Sequence, residues 1–364
     1  MFVTLHFNHQ TITTHDNAKY LFVHDKTFTS THEITLRYDD AQCEEYCTFD
    51  YPLDFNIHEW YALSNGLVCM SSMLFRAPDY VPNIYLWNPV VGIYKMIQVS
   101  PLSVFTAKEI EWTALAFGFR PEVNDYVVVH IVKLEYVSSG PDSLEPDVTD
   151  SNTVVIGVYS LNAGSWKTIA EDDVEIPALS TDRSVFVNGI AFWIGDIYEE
   201  LRQVVMYFDT KTKILRELPV PHCFGLGERQ LLRPTFHPFG QSIAYYVENN
   251  ESHQLDMWIL NGDLIDKFSW EKKMSVSLSE NIWADVLGIR NNNEPILAKS
   301  NNLISYDLET HEPYDFVRSY DRLTSDSHYN EGSKPLLSIF PFVETLLWLD
   351  KKSSMIEKNV SVTC

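Results

Sequence analysis

A short β-type phrase recurs five times along this chain: an apolar run, a polar or proline-containing turn, then a second run that begins near an aromatic residue. The copies are Tyr85-Leu86-Trp87-Asn88-Pro89 to Tyr94, Val158-Tyr159-Ser160-Leu161 to Trp166, Met206-Tyr207-Phe208-Asp209 to Leu215, Met257-Trp258-Ile259-Leu260 to Trp270, and Ser305-Tyr306-Asp307 to Phe316. The anchors Trp87, Tyr159, Phe208, Ile259 and Tyr306 stand 72, 49, 51 and 47 residues apart. Repeats of roughly 40 to 50 residues are the spacing of propeller blades. A unit of this kind buries its apolar faces only against its neighbours, so the repeat predicts one all-β ring rather than a string of separate domains.

The blades read as 66–98, 113–170, 185–219, 234–270 and 284–317. Two N-terminal runs, Lys19 to His24 and Glu33 to Tyr38, alternate like strands but complete no blade alone. The C-terminal stretch 336–349 is also strand-like, with Pro341 inside it. Placing both ends of the chain in one sheet closes the ring and removes exposed strand edges. The expectation is a closed β-propeller of about six blades, with seven or eight left open because strands that diverge in sequence escape this reading. Helical signals are weak, and a candidate such as Ala107 to Trp112 is too short for a core element. The run 137–152, rich in Pro, Gly, Ser and acidic residues, explains the long first interval as a loop within the second blade; a second polar segment covers 325–334.

Such a ring needs a large apolar interior, and a hydrophobic content of 45% supplies it. The 27 Lys and Arg residues face 50 Asp and Glu, a formal net charge of −23. Phosphate backbones and anionic membrane surfaces are repelled by such a field, so neither nucleic acid nor membrane is an expected partner, and a protein steered by it is a basic one. The five cysteines, Cys43, Cys47, Cys69, Cys223 and Cys364, form an odd and scattered set that fits a reducing compartment, the cytoplasm or the nucleus. The N-terminus lacks the charged-then-apolar pattern of a leader, and no run of about 18 apolar residues occurs.

Residues that carry chemistry are sparse. Cys43 and Cys47 offer two thiols without a second pair nearby, so no metal is expected. His222 and Cys223 are adjacent, and neighbours on a strand point to opposite faces, which rules out the hydrogen bond that a nucleophile and its base need. Gly225-Leu226-Gly227 lacks the Gly-Lys-Ser/Thr of a phosphate loop. The carboxylate pairs Asp39-Asp40, Glu44-Glu45, Asp172-Asp173 and Glu199-Glu200 would have to converge across the channel to act as a glycosidase does. No catalytic residue and no cofactor is expected.

Three segments resemble the successive hallmarks of the plant F-box-associated (type 1) domain: Ser64-Asn65-Gly66-Leu67-Val68-Cys69, Ile84-Tyr85-Leu86-Trp87-Asn88-Pro89, and Phe117-Gly118-Phe119-Arg120-Pro121-Glu122-Val123-Asn124-Asp125-Tyr126. Trp166 after Val158–Leu161, and Asn188-Gly189 before Trp193, continue the pattern, and the run is most similar to the S-locus F-box, S-haplotype-specific F-box and F-box/kelch-like group. Asn65-Gly66 and Asn188-Gly189 suit tight turns with positive φ, Asn88-Pro89 suits a turn between outer strands, and Trp87, Tyr126, Trp166 and Trp193 suit the space between blades. The resemblance implies a non-catalytic substrate receptor of an SCF-type (adaptor, cullin, F-box) E3 ubiquitin ligase, with basic pistil ribonucleases as targets in the S-locus setting.

The family places an F-box, which binds the adaptor, ahead of the segment resembling Phe2–His9, where this sequence begins. Adaptor and cullin are therefore expected partners only if an F-box lies upstream; without one the chain is a decoy or a truncated receptor. The expected organisation is a remnant over 1–15, the propeller over 16–350 and a polar tail over 351–364. Acidic loops are the candidate partner-binding residues: Asp39, Asp40, Glu44 and Glu45; Asp142, Glu145 and Asp147; Glu199 and Glu200.

Overall fold

The structure, a computed structural model, describes residues 19–24, 33–39, 43–49, 59–73, 82–97, 108–136, 153–172, 176–197, 200, 202–221, 234–249, 252, 254–263, 267–277, 282–299, 302–310, 312–317, 337–347, 349 and 362–363. The described residues form strands and turns without a helix, and so none long and apolar enough to cross a membrane.

Six antiparallel sheets make the ring. The N-terminal strands are β1 (Lys19–His24), β2 (Glu33–Tyr38) and β3 (Glu45–Phe49). Blade 1 follows with β4 (Glu59–Ser64), β5 (Leu67–Met73), β6 (Pro82–Asn88) and β7 (Ile93–Ile97). Blade 2 holds β8 (Lys108–Arg120), β9 (Asp125–Tyr136), β10 (Thr153–Ser160) and β11 (Ser165–Asp172), and blade 3 holds β12 (Ala178–Val187), β13 (Ile190–Ile197), β14 (Arg202–Asp209) and β15 (Ile214–Pro219). Blade 4 is β16 (Thr235–Phe239), β17 (Ser242–Asn249), β18 (Gln254–Asp263) and β19 (Lys267–Ser277); blade 5 is β20 (Ile282–Ile289), β21 (Pro295–Lys299), β22 (Asn302–Tyr306) and β23 (Pro313–Val317). Two late strands, β24 (Leu337–Phe342) and β25 (Val362–Thr363), join the first three in the order β24-β1-β2-β3-β25 to make blade 6.

The six-bladed ring and its closure by both chain ends agree with the sequence reading. β24 takes the innermost place and pairs with β1 from Lys19 opposite Phe342 to His24 opposite Leu337. Two details differ. Residues 108–112, part of the short helical candidate, extend β8, where the register shifts between Ile110 and Trp112. Val362 and Thr363, expected in a polar tail, pair with Phe49 and Thr48 of β3.

The repeated phrase exists because a middle strand is covered on both faces by neighbouring blades. Residues 153–159 of β10 are buried without interruption, and so are Val204 to Phe208 of β14, whereas outer β15 alternates with mostly exposed residues. One apolar cluster fills each of the six blade-to-blade interfaces. Burying a large apolar side chain stabilises by about 1.5–3 kcal/mol, so these interfaces hold the ring together. Trp87 fills the interface between blades 6 and 1, edge-on to Phe49, and Trp193 fills that between blades 2 and 3, its indole N–H donating to Leu115 O at 3.0 Å.

Candidate functional site

In a four-stranded meander, the first and third connections leave from one end of the blade and the second leaves from the other. Around this ring one end therefore collects 65–66, 89–92, 121–124, 161–164, 188–189, 210–213, 240–241, 290–294, 307–310 and 312, together with Asp39, Cys43 and Glu44 of blade 6. This end is the turn face. The strand ends Tyr136 and Thr153 of blade 2, and Ile197 and Arg202 of blade 3, mark the opposite, connection face.

The motif residues meet on the turn face, where they bind the chain to itself. Asn65 and Gly66 both have positive φ (46° and 79°), as do Asn188 and Gly189 (50° and 82°), which lets the two-residue turns follow the twist of their strands. The Tyr126 hydroxyl donates to Asn65 O at 2.8 Å, tying blade 2 to blade 1, and burial holds its pKa well above the usual phenol value. Asp125 is buried and accepts from Ser160 Oγ at 2.5 Å and Asn162 N at 2.9 Å, and Asn124 O accepts from the Asn162 amide. Asn88 is fully buried and reaches the chain after β24, its Nδ2 donating to Thr345 O and Leu347 O. Pro89 follows it into the turn. A Cβ on Gly118 would lie 1.9 Å from the Phe186 ring, so inner strands β8 and β12 approach closely there. Trp166 packs beside Tyr159, 5.3 Å between centroids, at the interface of blades 1 and 2.

Among the described residues the acidic candidates divide between the two faces. Asp39, Glu44 and Glu45 leave from the turn face, while Glu200 sits on the connection face; Asp142, Glu145, Asp147, Asp40 and Glu199 lie outside the described residues. Asp39 is a structural residue: its carboxylate meets the Arg290 guanidinium at 2.5 Å and accepts from the Tyr20 hydroxyl at 2.8 Å, with only 8% of the side chain exposed. Glu45 bonds Arg37 at 2.7 Å, and Glu200 pairs with Arg202. Cys43 and Cys47 point to opposite sides of blade 6, one toward blade 5 and the other toward blade 1. Among the described residues no three His, Cys, Asp or Glu side chains gather as a metal site would need.

A cleft of about 470 Å³ opens on the turn face between blades 3 and 4. Ile190, Phe192, Tyr207 and Leu260 line it, Ile214 and Arg216 of outer strand β15 rim it, and Asn188 crosses to blade 4 by donating to Gln241 O at 2.7 Å. Its one lining carboxylate, Asp209, is held by its own turn: Oδ1 accepts from Lys211 N at 2.7 Å and Oδ2 from Thr212 Oγ1 at 2.8 Å. On the outer strands β19 and β15, the Trp270 indole donates to Pro219 O at 2.8 Å and joins the two blades. Sequence reading missed this cleft because its walls come from two repeats; the one local signal is Ile214, an aliphatic residue 39% exposed on an edge strand.

A family model described as the F-box associated beta propeller domain matches residues 11–316. An F-box/kelch-repeat protein of Arabidopsis thaliana is 21% identical over 58% of this chain and 51% of its own length. A putative F-box protein of the same plant is 27% identical over 42% of this chain and 37% of its own. The match thus spans about half, or less, of these relatives. Among solved structures, the β-propeller domain of the trilobed protease of Pyrococcus furiosus aligns at TM-score 0.32 and 10% identity, over 85% of this chain and 99% of that one.

Proposed function

We propose that this chain, which belongs to the F-box-associated β-propeller family, is the substrate-recognition part of an SCF-type ubiquitin ligase: it binds a target protein, and other subunits perform the transfer. The observation that carries the reading is a division of labour on one face. The family's motif residues are consumed in stitching turns and the chain end, while the adjoining cleft is left open with apolar walls and a polar rim. Rigid scaffolds commonly present partners with such a pocket at an interface between repeating units.

The test is affinity capture of the gene product, with whatever precedes it in the natural transcript, from plant tissue. A receptor brings down the adaptor and the cullin, and a target whose ubiquitin conjugates decline when the gene is silenced. Capture of a target without adaptor or cullin overturns the receptor reading in favour of a decoy.

A further inference from the structure

Over blades 2 and 3 the turn face gathers four cations, Arg120, Lys167, Lys213 and Arg216, although the chain as a whole is acidic. Lys213, in the turn between β14 and β15, holds its ammonium 6.0 Å from the Phe208 ring centroid at the top of the interface between blades 2 and 3. The turns of these blades touch there. Arg120 Nε bonds Glu122 Oε1 at 2.8 Å, that oxygen lies 3.9 Å from the Cβ position of Gly189, and Gly189 O accepts from the Thr210 hydroxyl at 2.6 Å. Lys167, on the blade 3 side of β11, completes the group. Beyond the same turn, Arg216 stands on the rim of the cleft.

The neighbouring acids are already committed: Glu122 to Arg120, Asp209 to its turn, and Glu217 to Arg202 at 2.9 Å. Among the described residues Lys167, Lys213 and Arg216 form no ion pair. Burial first, then the like charges of Arg120 and Lys167, push the Lys213 ammonium below the usual lysine range, and the nearby Asp209 carboxylate offsets this only in part. Crowding of this kind costs free energy that an arriving anion relieves.

We propose that the turn face over blades 2 to 4 docks a short acidic segment of a protein partner, an apolar side chain entering the cleft beside Ile214 and its flanking carboxylates meeting Arg216, Lys213 and Lys167. This rests on the receptor reading above and gives its target a chemistry. The cleft suits a side chain, not a phosphate. A short segment stays within about one Debye length, roughly 8–10 Å, of the cations, whereas a long polyanion would run onto a chain of net charge −23 and be repelled.

The test is fluorescence anisotropy with a short labelled peptide in which a central leucine is flanked by glutamates, against its lysine-flanked counterpart and a single-stranded oligonucleotide. The glutamate peptide binds the folded protein best. Joint substitution Lys213→Glu and Arg216→Glu weakens it about tenfold or more, while Lys95→Glu, on blade 1, leaves it unchanged; thermal melts confirm that all variants fold. Equal or tighter binding of the lysine peptide or the oligonucleotide, no binding of the glutamate peptide, or indifference to the double substitution overturns the proposal. Adaptor and cullin capture by the double variant separates the two readings, since its persistence leaves the receptor standing when the docking surface fails.

Discussion

The side-chain amide of Asn88 donates to the backbone carbonyl of Thr345 at 3.0 Å, across 257 positions of sequence. The same nitrogen reaches Leu347 O at 2.9 Å, and the side-chain oxygen accepts from Val90 N at 3.0 Å. One residue thus fixes its own turn and holds the chain end that follows the closing strand. Asn88→Asp separates the two roles, because a carboxylate still accepts from Val90 N but donates to neither carbonyl. With the site fully buried, the change should cost about 3 kcal/mol or more, the scale of orphaned buried polar groups next to an unpaired charge. Urea unfolding checks it, and a loss below about 0.5 kcal/mol would show that the latch does not bear on closure.

Gly66 lies under the same chain end. It has φ 79°, and a Cβ there would come within 2.2 Å of Val343 O, so Gly66→Ala meets both backbone strain and a clash with main chain. Gly164 has φ 62° but open space around its Cβ position. Gly164→Ala should cost about 1 kcal/mol, the left-handed penalty alone, and Gly66→Ala at least twice that. Equal melting temperatures for the two variants would mean that the segment after β24 yields without cost.

The ring was legible because its information is local. Two-residue Asn-Gly turns, uninterrupted apolar middle strands and aromatic anchors each lie within one repeat, and their spacing marks five of the six blades, the sixth being inferred from the strand-like runs at both chain ends. What was illegible is what crosses repeats. Asp39 reads as one of two adjacent acids in a solvated loop, yet it is held by Arg290, 251 positions away. Likewise, the cleft takes Arg216 from one blade and Gln241 from the next, and the local cationic group is invisible beneath a net charge of −23.

Asp39 and Arg290 make a partly buried bridge between blades 6 and 5, their side chains 8% and 15% exposed. Tyr20 extends it, accepting from Asn291 N at 3.0 Å while donating to Asp39. When Asp39 is removed Arg290 keeps Glu294 at 3.2 Å, so Asp39→Ala should cost about 1.5–3 kcal/mol, the scale of lost hydrogen bonds to a charged group rather than of an orphaned charge. Asp39→Ala with Arg290→Met should cost less than the two single changes added together, since each single change already removes the bridge they share. Strict additivity in unfolding experiments would mean that the two residues act independently.

Two histidines make stability fall as pH falls. His130 is buried on β9 with Nε2 2.6 Å from Thr113 Oγ1 and no partner at Nδ1, and burial lowers its pKa to about 4. His237 donates to Val286 O at 3.1 Å, which favours its charged form, but burial outweighs this and also brings its pKa to about 4. An unfolded histidine titrates near about 6.5, so between that value and about 4 the unfolded chain takes up protons that the folded chain refuses. Their contribution is therefore complete above about pH 6.5, is lost progressively as pH falls to about 4, and changes little below. The loss is on the order of 3 kcal/mol for each histidine across the window. Urea midpoints from pH 7.5 down to 4 should drop steeply in the natural protein and less steeply after His130→Leu, which removes the titrating group. Parallel curves for the two proteins would mean that His130 protonates as readily in the fold as in the unfolded chain.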